Sequence, residues 1–394
     1  MIRLALLLAI SVPAAAQVPA QTEADGYTRY ELLEPGSSKF RILYEVTATT
    51  PGATAYYNPI RTGSVATDER VTDRATGKPL VWSVVGGAIA AAGGVRGAEP
   101  GDQYIRVTLA RPVPADGGEA RVLIDKTYAD PKSYFVEGST IVFDRTLGVK
   151  RNAVVLPEGY ELVTSSYPAQ VLHEADGRIM VSFWNATPAP APVRITARPA
   201  RGLVAPAKPA EERARQTREI VYDLQAPETH SFALFHDYTE DRPGTSTYVN
   251  VVRVGSKVSN PSARDLDTGQ ALRWAVVRGA DVLKAAPETQ AVGPGTEAVV
   301  FSFPAVAAGR SARLRISETY TDPVGYTLAS DGSLVWNRSL GRAANAVILP
   351  AGWMLTSSTM PTTITETDDR RVRLDFINPR PDELAVRIVA QRRR

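Results

Sequence analysis

The sequence predicts an all-β protein with two tandem, duplicated, antiparallel β-sandwich-like domains joined by a short linker rich in Pro, Ala and Arg. Three observations support this prediction: apolar and polar residues alternate over short runs, turn signals separate the runs, and the two halves repeat one another. The 394 residues suffice for about two domains. With 44% apolar and 22% charged residues, the composition is globular and excludes disorder throughout the chain.

The alternation is clearest in Phe40–Val46, where Arg41 and Glu45 interrupt the apolar residues and face the opposite side of a strand. Further alternating runs place apolar residues at every second position, namely Ile105, Val107 and Leu109; Val122, Ile124 and Tyr128; Val299, Phe301 and Phe303; and Leu314, Ile316 and Tyr320. Turn signals follow at short intervals, as in Asp116-Gly117-Gly118, Asp176-Gly177 and Asp331-Gly332. Many short strands with turns between them favour a sandwich in each half.

The repeat relates residues 27–198 to residues 219–391 at an offset of 192 to 193 positions. Collinear matches occur throughout, among them Tyr56–Ser64 with Tyr248–Ser256, Asp73–Trp82 with Asp265–Trp274, Thr127–Tyr134 with Thr319–Tyr326, and Asn152–Pro157 with Asn345–Pro350. This collinearity indicates an internal duplication. Residues 199–218 are predicted to be the linker.

The N-terminus has the pattern of a signal peptide. Arg3 is followed by the apolar run Leu4–Val12 and by Pro13–Ala16, which fits a cleavage site after Ala16. We therefore expect residues 1–16 to be removed and the protein to be periplasmic or secreted. The apolar run is too short to span a bilayer, and no later segment is longer, so no integral membrane segment is expected.

Composition limits the partners and cofactors. The absence of cysteine excludes disulfides, thiolate metal sites and a lipoprotein anchor. The 45 basic and 42 acidic residues nearly balance, so no nucleic-acid partner is expected. No phosphate-binding loop or dinucleotide fingerprint occurs, and no cofactor is expected.

Familiar catalytic signatures are also missing. His173 and Glu174 begin like a zinc-protease motif, but Gly177 stands where the second histidine is required. His230 and His236 are too far apart along one strand to share a metal, and His236 is expected in a core or at its edge. No metal site is predicted.

Residues shared by both halves are the candidates for structure or binding. Trp82 and Trp274 are expected to fill the two cores, and Arg145 and Arg338 are expected to brace loops. The candidate ligand-binding residues are one matched polar set in each half, namely Tyr56, Asn58 and Arg61 with Tyr248, Asn250 and Arg253. Their hydroxyl, amide and guanidinium groups suit sugar rings or an acidic polymer.

The opening of each half, with an alternating strand and then Asp73-x-x-Thr76-Gly77-x-x-Leu80 or its counterpart in the second half, resembles the β-rich N-terminal domain of zinc aminopeptidases. The resemblance covers less than half of each repeat, and no catalytic helical domain follows. We infer no function from it.

Two function classes follow. The first is an exported, non-catalytic β-sandwich repeat protein that binds a polymer, a glycan or a protein partner at the cell envelope. The alternative is a secreted or periplasmic hydrolase or lyase that acts on polysaccharide through Tyr, Arg and carboxylate groups. Equivalent polar residues in both halves favour binding, because enzymes more often place one asymmetric site in a deep cleft.

Overall fold

The computed structural model describes residues 18–200, 202, 210–216, 219–285 and 292–393. The expected signal peptide, residues 1–16, and part of the expected linker lie outside these described residues. Of the described residues, 53% are in strands and 4% in helices, and the strands form several separate sheets. The prediction of an all-β protein with sandwich-like domains is confirmed.

Fourteen strands and one short helix are described in the first half. Their bounds are β1 Glu23–Leu32, β2 Lys39–Ala48, β3 Ala55–Ile60, β4 Val65–Asp73, β5 Trp82–Gly86, α1 Gly87–Ala92, β6 Gln103–Thr108, β7 Ala120–Ala129, β8 Tyr134–Glu137, β9 Thr140–Leu147, β10 Arg151–Val155, β11 Tyr160–Ser165, β12 Gln170–His173, β13 Ile179–Trp184 and β14 Ala191–Pro199.

The described part of the second half contains the same series. Its bounds are β15 Glu219–Leu224, β16 Ser231–Glu240, β17 Thr247–Val251, β18 Lys257–Asp265, β19 Arg273–Arg278, α2 Ala280–Ala285, β20 Glu297–Ser302, β21 Ala312–Thr321, β22 Tyr326–Leu328, β23 Leu334–Leu340, β24 Ala344–Ile348, β25 Trp353–Ser358, β26 Thr363–Glu366, β27 Val372–Ile377 and β28 Leu384–Arg392. Neither α1 nor α2 is long or apolar enough to cross a membrane, and no other α-helix is described.

Each half contains a seven-stranded, a four-stranded and a three-stranded sheet. In the first half the strand orders are β12-β13-β10-β1-β2-β7-β4, β11-β14-β9-β8 and β3-β6-β5. In the second half, every strand takes the place of the strand fourteen positions earlier in the chain. Within each seven-stranded sheet one pair is parallel, β1 with β10 and β15 with β24. The two halves therefore have one topology.

The core of each half lies between the seven-stranded sheet and the two smaller sheets. In the first half, Phe40 from the large sheet is in the same buried cluster as Phe143 from the four-stranded sheet and Ile105 from the three-stranded sheet. The second half has corresponding clusters around Phe232 and Phe301. No described hydrophobic cluster includes residues of both halves. The extents of the two domains stay a prediction.

Polar contacts join the halves in reciprocal pairs. Arg121 at the start of β7 donates to Asp267, with Nε 2.9 Å from Oδ1, and also to Ser311. Its counterpart Arg313 at the start of β21 lies 3.3 Å from a carboxylate oxygen of Glu119, the residue that aligns with Ser311. This exchange of equivalent contacts describes an approximate twofold relation between the halves.

The prediction for Trp274 was wrong. Trp82 packs against the core of the first half, but Trp274 is 47% exposed. Trp274 lies on β19, one of the two edge strands of the three-stranded sheet, and none of the described strands pairs with its outer side. His236 is buried as predicted.

Candidate functional site

The structure places Tyr56 and Asn58 inside the first half. Tyr56 donates its hydroxyl to Glu23 and lies 3.3 Å from the hydroxyl of Tyr44. The Oδ1 atom of Asn58 accepts a hydrogen bond of 2.6 Å from the ammonium group of Lys126. Both side chains are buried, so they offer no open face to a large ligand.

Arg61, the third residue of this set, is exposed at the end of β3. Its backbone N–H donates to the hydroxyl of Tyr128 at 3.4 Å. The set therefore divides between the interior and the surface, and it does not form one accessible site in the first half.

The second half divides in the same way. Tyr248 is buried, and its hydroxyl lies 3.1 Å from Nδ1 of His236. Asn250 donates to the carboxylate of Glu318 and, at 3.1 Å, to the hydroxyl of Tyr320. Arg253 is exposed and donates to the carbonyl of Ser339 at 3.3 Å. Ligand binding by the six residues stays a prediction. The two tyrosines and the two asparagines form hydrogen bonds with side chains inside their own half, whereas the two arginines are exposed.

Arg145 is enclosed by aromatic rings in the first core. Its guanidinium carbon lies 5.5 Å from the ring centre of Phe40 and 5.6 Å from that of Tyr128, and it donates to Asp130 at 2.9 Å. Burial opposes ionisation of Asp130, but hydrogen bonds from Ser133 and Ser64 and the charge of Arg145 hold its pKa below the usual value.

Arg338 repeats this arrangement among Tyr222, Phe232 and Tyr320, and it donates to Asp322 at 3.3 Å. The contacts of both arginines agree with the structural role predicted for them.

Two clefts lie between the halves. The first cleft has a volume of about 680 Å³ and the second cleft about 780 Å³. They are counterparts under the approximate twofold relation: the first is lined by Asp237, Arg313 and Gly148, and the second by the aligned residues Glu45, Arg121 and Gly341. Each combines the outer face of one seven-stranded sheet with loops of the other half. Both volumes are in the range of ligand pockets.

Paired charges line the first cleft. Arg315 donates twice to Asp237, each bond being 2.7 Å long, and Arg373 donates to Glu219 at 3.0 Å. The guanidinium of Arg315 also covers the ring of Phe235 at 5.1 Å. Burial raises the pKa of Glu219, although the charge of Arg373 opposes this effect. The surface alternates positive and negative groups and has an aromatic component.

A stretch of the chain between the halves already covers one wall of the second cleft. Residues 210–216 cross the outer face of the first seven-stranded sheet, where Glu212 accepts hydrogen bonds from Tyr27 at 2.9 Å and Ser182 at 2.6 Å. On the same face of the sheet Arg151, which lines the first cleft, donates to the carbonyl of Ala214 at 3.4 Å. Side chains on this face of the sheet therefore donate hydrogen bonds to a carboxylate and to a backbone carbonyl of the segment that lies on it.

Sequence reasoning did not find the clefts. Their residues come from the outer faces of strands that are distant in the chain and from loops of the opposite half. One feature of the sequence could have indicated the first cleft. Arg313 and Arg315 lie on the same face of β21, where the first half has Arg121 and Leu123. Among the described residues, no group of three or more His, Asp or Glu side chains is arranged to hold a metal ion.

Comparison with known proteins gives no family. No family model matches the chain, and neither does any curated protein. Among solved structures, an M1 zinc metallopeptidase from Deinococcus radiodurans is 12% identical, with a TM-score of 0.32, over 46% of this chain and 42% of that one. The chain thus spans less than half the length of that peptidase.

Two adhesins match over more of the chain but less closely. The collagen adhesin of S. aureus is 7% identical over 81% of this chain and 84% of its own, with a TM-score of 0.15. The Enterococcus faecalis adhesin ACE is 8% identical over 96% and 95%, also with a TM-score of 0.15. Scores this low carry no argument about the clefts.

Proposed function

We propose that this chain is an exported, non-catalytic binding protein that holds an extended segment of a protein partner in the first cleft. The observation that carries this proposal is the seating of residues 210–216 on the wall of the second cleft, the counterpart of the first. The same type of surface, the outer face of a seven-stranded sheet, holds a polypeptide there through Glu212 and through the carbonyl of Ala214.

The charges of the first cleft suit a partner segment with charged side chains of both signs. Asp237 and Glu219 can accept from Lys or Arg of the segment, while Arg315 and Arg373 can donate to its carboxylates or carbonyls. Of the described hydrogen bonds, none uses Nη1 of Arg315 or Nη1 of Arg373. Each guanidinium therefore keeps a donor for a partner without breaking its own ion pair.

Glu240, which lines the second cleft, is poorly suited to acid catalysis. A general acid must hold a proton near its working pH, and an arginine neighbour favours the ionised form. In the second cleft, Glu240 is such a case: burial opposes ionisation, but bonds from Arg242 and Tyr238 lower its pKa to about 2. The ionised carboxylate of Glu240 therefore favours binding over acid catalysis at this position.

One observation favours the alternative, a hydrolase or lyase that acts on polysaccharide. Glu219 lies in the first cleft, and burial raises its pKa, which is the direction that a general acid needs. If that function holds, Glu219→Gln abolishes product release from a polysaccharide. If the binding function holds, no polysaccharide yields product at all.

The binding function is tested by isothermal titration calorimetry, in which a synthetic peptide of alternating Glu and Arg residues is titrated into the protein. We expect Arg373→Gln, in the cleft, to weaken binding about tenfold, which corresponds to about 1.4 kcal/mol. The matched control is Arg371→Gln, which removes a half-buried, ion-paired arginine two residues away and outside the cleft. Equal binding by both variants and the parent protein would exclude the first cleft as the site.

Export belongs to the same proposal, and it rests on the sequence pattern of residues 1–16. We expect the mature protein to begin at Gln17. The intact mass of the protein recovered from the periplasm or the medium tests this, and a species that retains residues 1–16 in those fractions would contradict it.

A further inference from the structure

Strand β19 is an open edge of the second half. It pairs with β20 on one side only, from Arg273 opposite Ser302 to Arg278 opposite Glu297. Just before it, the N–H of Leu272 bonds to the carbonyl of Ala263 on the side away from β20. Because bonding direction alternates along a strand, every second residue after Leu272 also directs its N–H and C=O away from β20.

The residues with these outward groups are Trp274, Val276 and Arg278. Within the described chain they make no backbone hydrogen bond on that side, and the contact with β18 is limited to the bridge between Arg264 and Ala271 and the bond from Leu272 to Ala263. The edge therefore offers unpaired donors and acceptors over a length of five residues. An extended peptide satisfies such an edge by pairing with it as an additional strand.

Two apolar side chains of β19 lie at the border of the core and are partly exposed to solvent. Trp274 pairs with the buried Phe301, and Val276 pairs with the buried Val299, so each shares a face with a core residue. Even so, Trp274 is 47% and Val276 is 40% exposed. An added strand with apolar side chains on this face would bury both and extend the core.

Arginines mark both ends of the edge. Arg273 is exposed and has no ion pair among the described residues, and Arg278 pairs with Glu297 at 2.6 Å. In the first half the equivalent positions are Val81, just before β5, and Gly86, the last residue of β5. The first half thus has the same edge without the charges, and its Trp82 is packed against the core.

We infer that the open edge of β19 accepts an extended segment of a partner protein as an added strand, with apolar residues opposite Trp274 and Val276 and a carboxylate opposite Arg273. Charge complementarity selects this occupant, because the exposed Arg273 at one end of the edge and Arg278 at the other attract carboxylates at the two ends of an added strand.

The test uses the full chain and the synthetic peptide Asp-Thr-Val-Thr-Val-Asp with blocked ends, and a Lys-Thr-Val-Thr-Val-Lys peptide serves as the charge control. Hydrogen exchange is expected to slow at least tenfold at the amides of Trp274, Val276 and Arg278 with the acidic peptide only. Val276→Pro removes an outward N–H that β20 does not use, and it should abolish this protection.

The matched control is Val84→Pro, the same change at the equivalent position of β5, which should leave the protection unchanged. Arg273→Glu should reverse the preference between the two peptides. Three results would overturn the inference: no protection at millimolar acidic peptide, equal protection by both peptides, or self-association of the Arg273→Ser variant through this edge. The last result would mean that the arginine only keeps the edge from pairing with other copies.

Discussion

Lys126 and Glu318 occupy the same position in the two halves, and both side chains are buried, with 3% and 2% of their surfaces exposed. Each points from the central region of its strand, β7 or β21, into the core side of the sheet. The matching amides adapt to the opposite charges, since Asn58 presents its oxygen to Lys126 and Asn250 presents its nitrogen to Glu318. One fold thus encloses a base in one half and an acid in the other.

Glu318 makes the second half less stable as the pH rises through the neutral range. Burial raises its pKa to about 7, against the opposing effect of the hydrogen bond from Asn250. The folded protein therefore holds a proton that the unfolded chain has already lost, and stability falls between about pH 4.5 and pH 7. The loss is about 3 kcal/mol for a shift of this size.

The measurement is denaturant unfolding between pH 4.5 and 8. In Glu318→Gln this fall should largely disappear, because glutamine keeps the shape of the protonated acid without titrating. A variant that keeps the full fall would show that another group causes it.

Lys126 should produce the opposite slope at higher pH. Burial and, to a smaller extent, the charge of Arg145 lower its pKa to about 7, against the charge of Glu69. Here the unfolded chain binds the additional proton, so stability should rise from about pH 7 to pH 10. Lys126→Met should abolish that rise, whereas Lys39→Met, at an exposed lysine of β2, should preserve it. The slope is the quantity to compare, because Lys126→Met also deprives Asn58 of its partner.

The sequence predicted the fold well for a physical reason. Alternation along runs such as Phe40–Val46 determines which residues face a core. The repeat gave two aligned sequences for each strand, so that the apolar face could be identified in both. The charge reversal between Lys126 and Glu318 was also visible in the alignment, on the apolar face of otherwise matching strands.

The candidate site was harder to predict. Tyr56 and Asn58 have polar groups, but Glu23 and Lys126 satisfy those groups inside the core, and these partners come from other strands. The clefts depend on how the two halves pack, through contacts such as Arg121 with Asp267, and periodicity within one strand carries no information about such packing. Trp274 likewise has the pattern of a core residue but lies beside an open edge.

Arg145 and Arg338 should be important for stability. We expect Arg145→Ala and Arg338→Ala each to lower the free energy of unfolding by about 1–3 kcal/mol, because each leaves a carboxylate without its buried donor. Arg194, exposed and paired with Asp144, is the control, and Arg194→Ala should leave the melting temperature unchanged. Unchanged melting temperatures for both core variants would assign the two arginines to function instead.

The two halves should fold independently. Because the described cores do not mix residues of the two halves, residues 17–200 and 215–394 expressed separately should each show β-type circular dichroism and cooperative unfolding. If neither piece folds while the whole chain does, the contact between the halves supplies the missing stability, and the prediction is wrong.

The contact between Arg121 and Asp267 gives the sharpest version of this test. Both side chains are buried in the whole chain, and each lies in a different half.

In the whole chain, Arg121→Met leaves Asp267 as a buried carboxylate without its closest partner, which should cost about 3 kcal/mol. In the isolated first half, Asp267 is absent and residue 121 is open to water, so the same substitution should change stability by less than about 0.5 kcal/mol. Denaturant unfolding of the four proteins measures both differences. Equal effects in the two contexts would mean that Arg121 acts within its own half and that the contact between the halves contributes little.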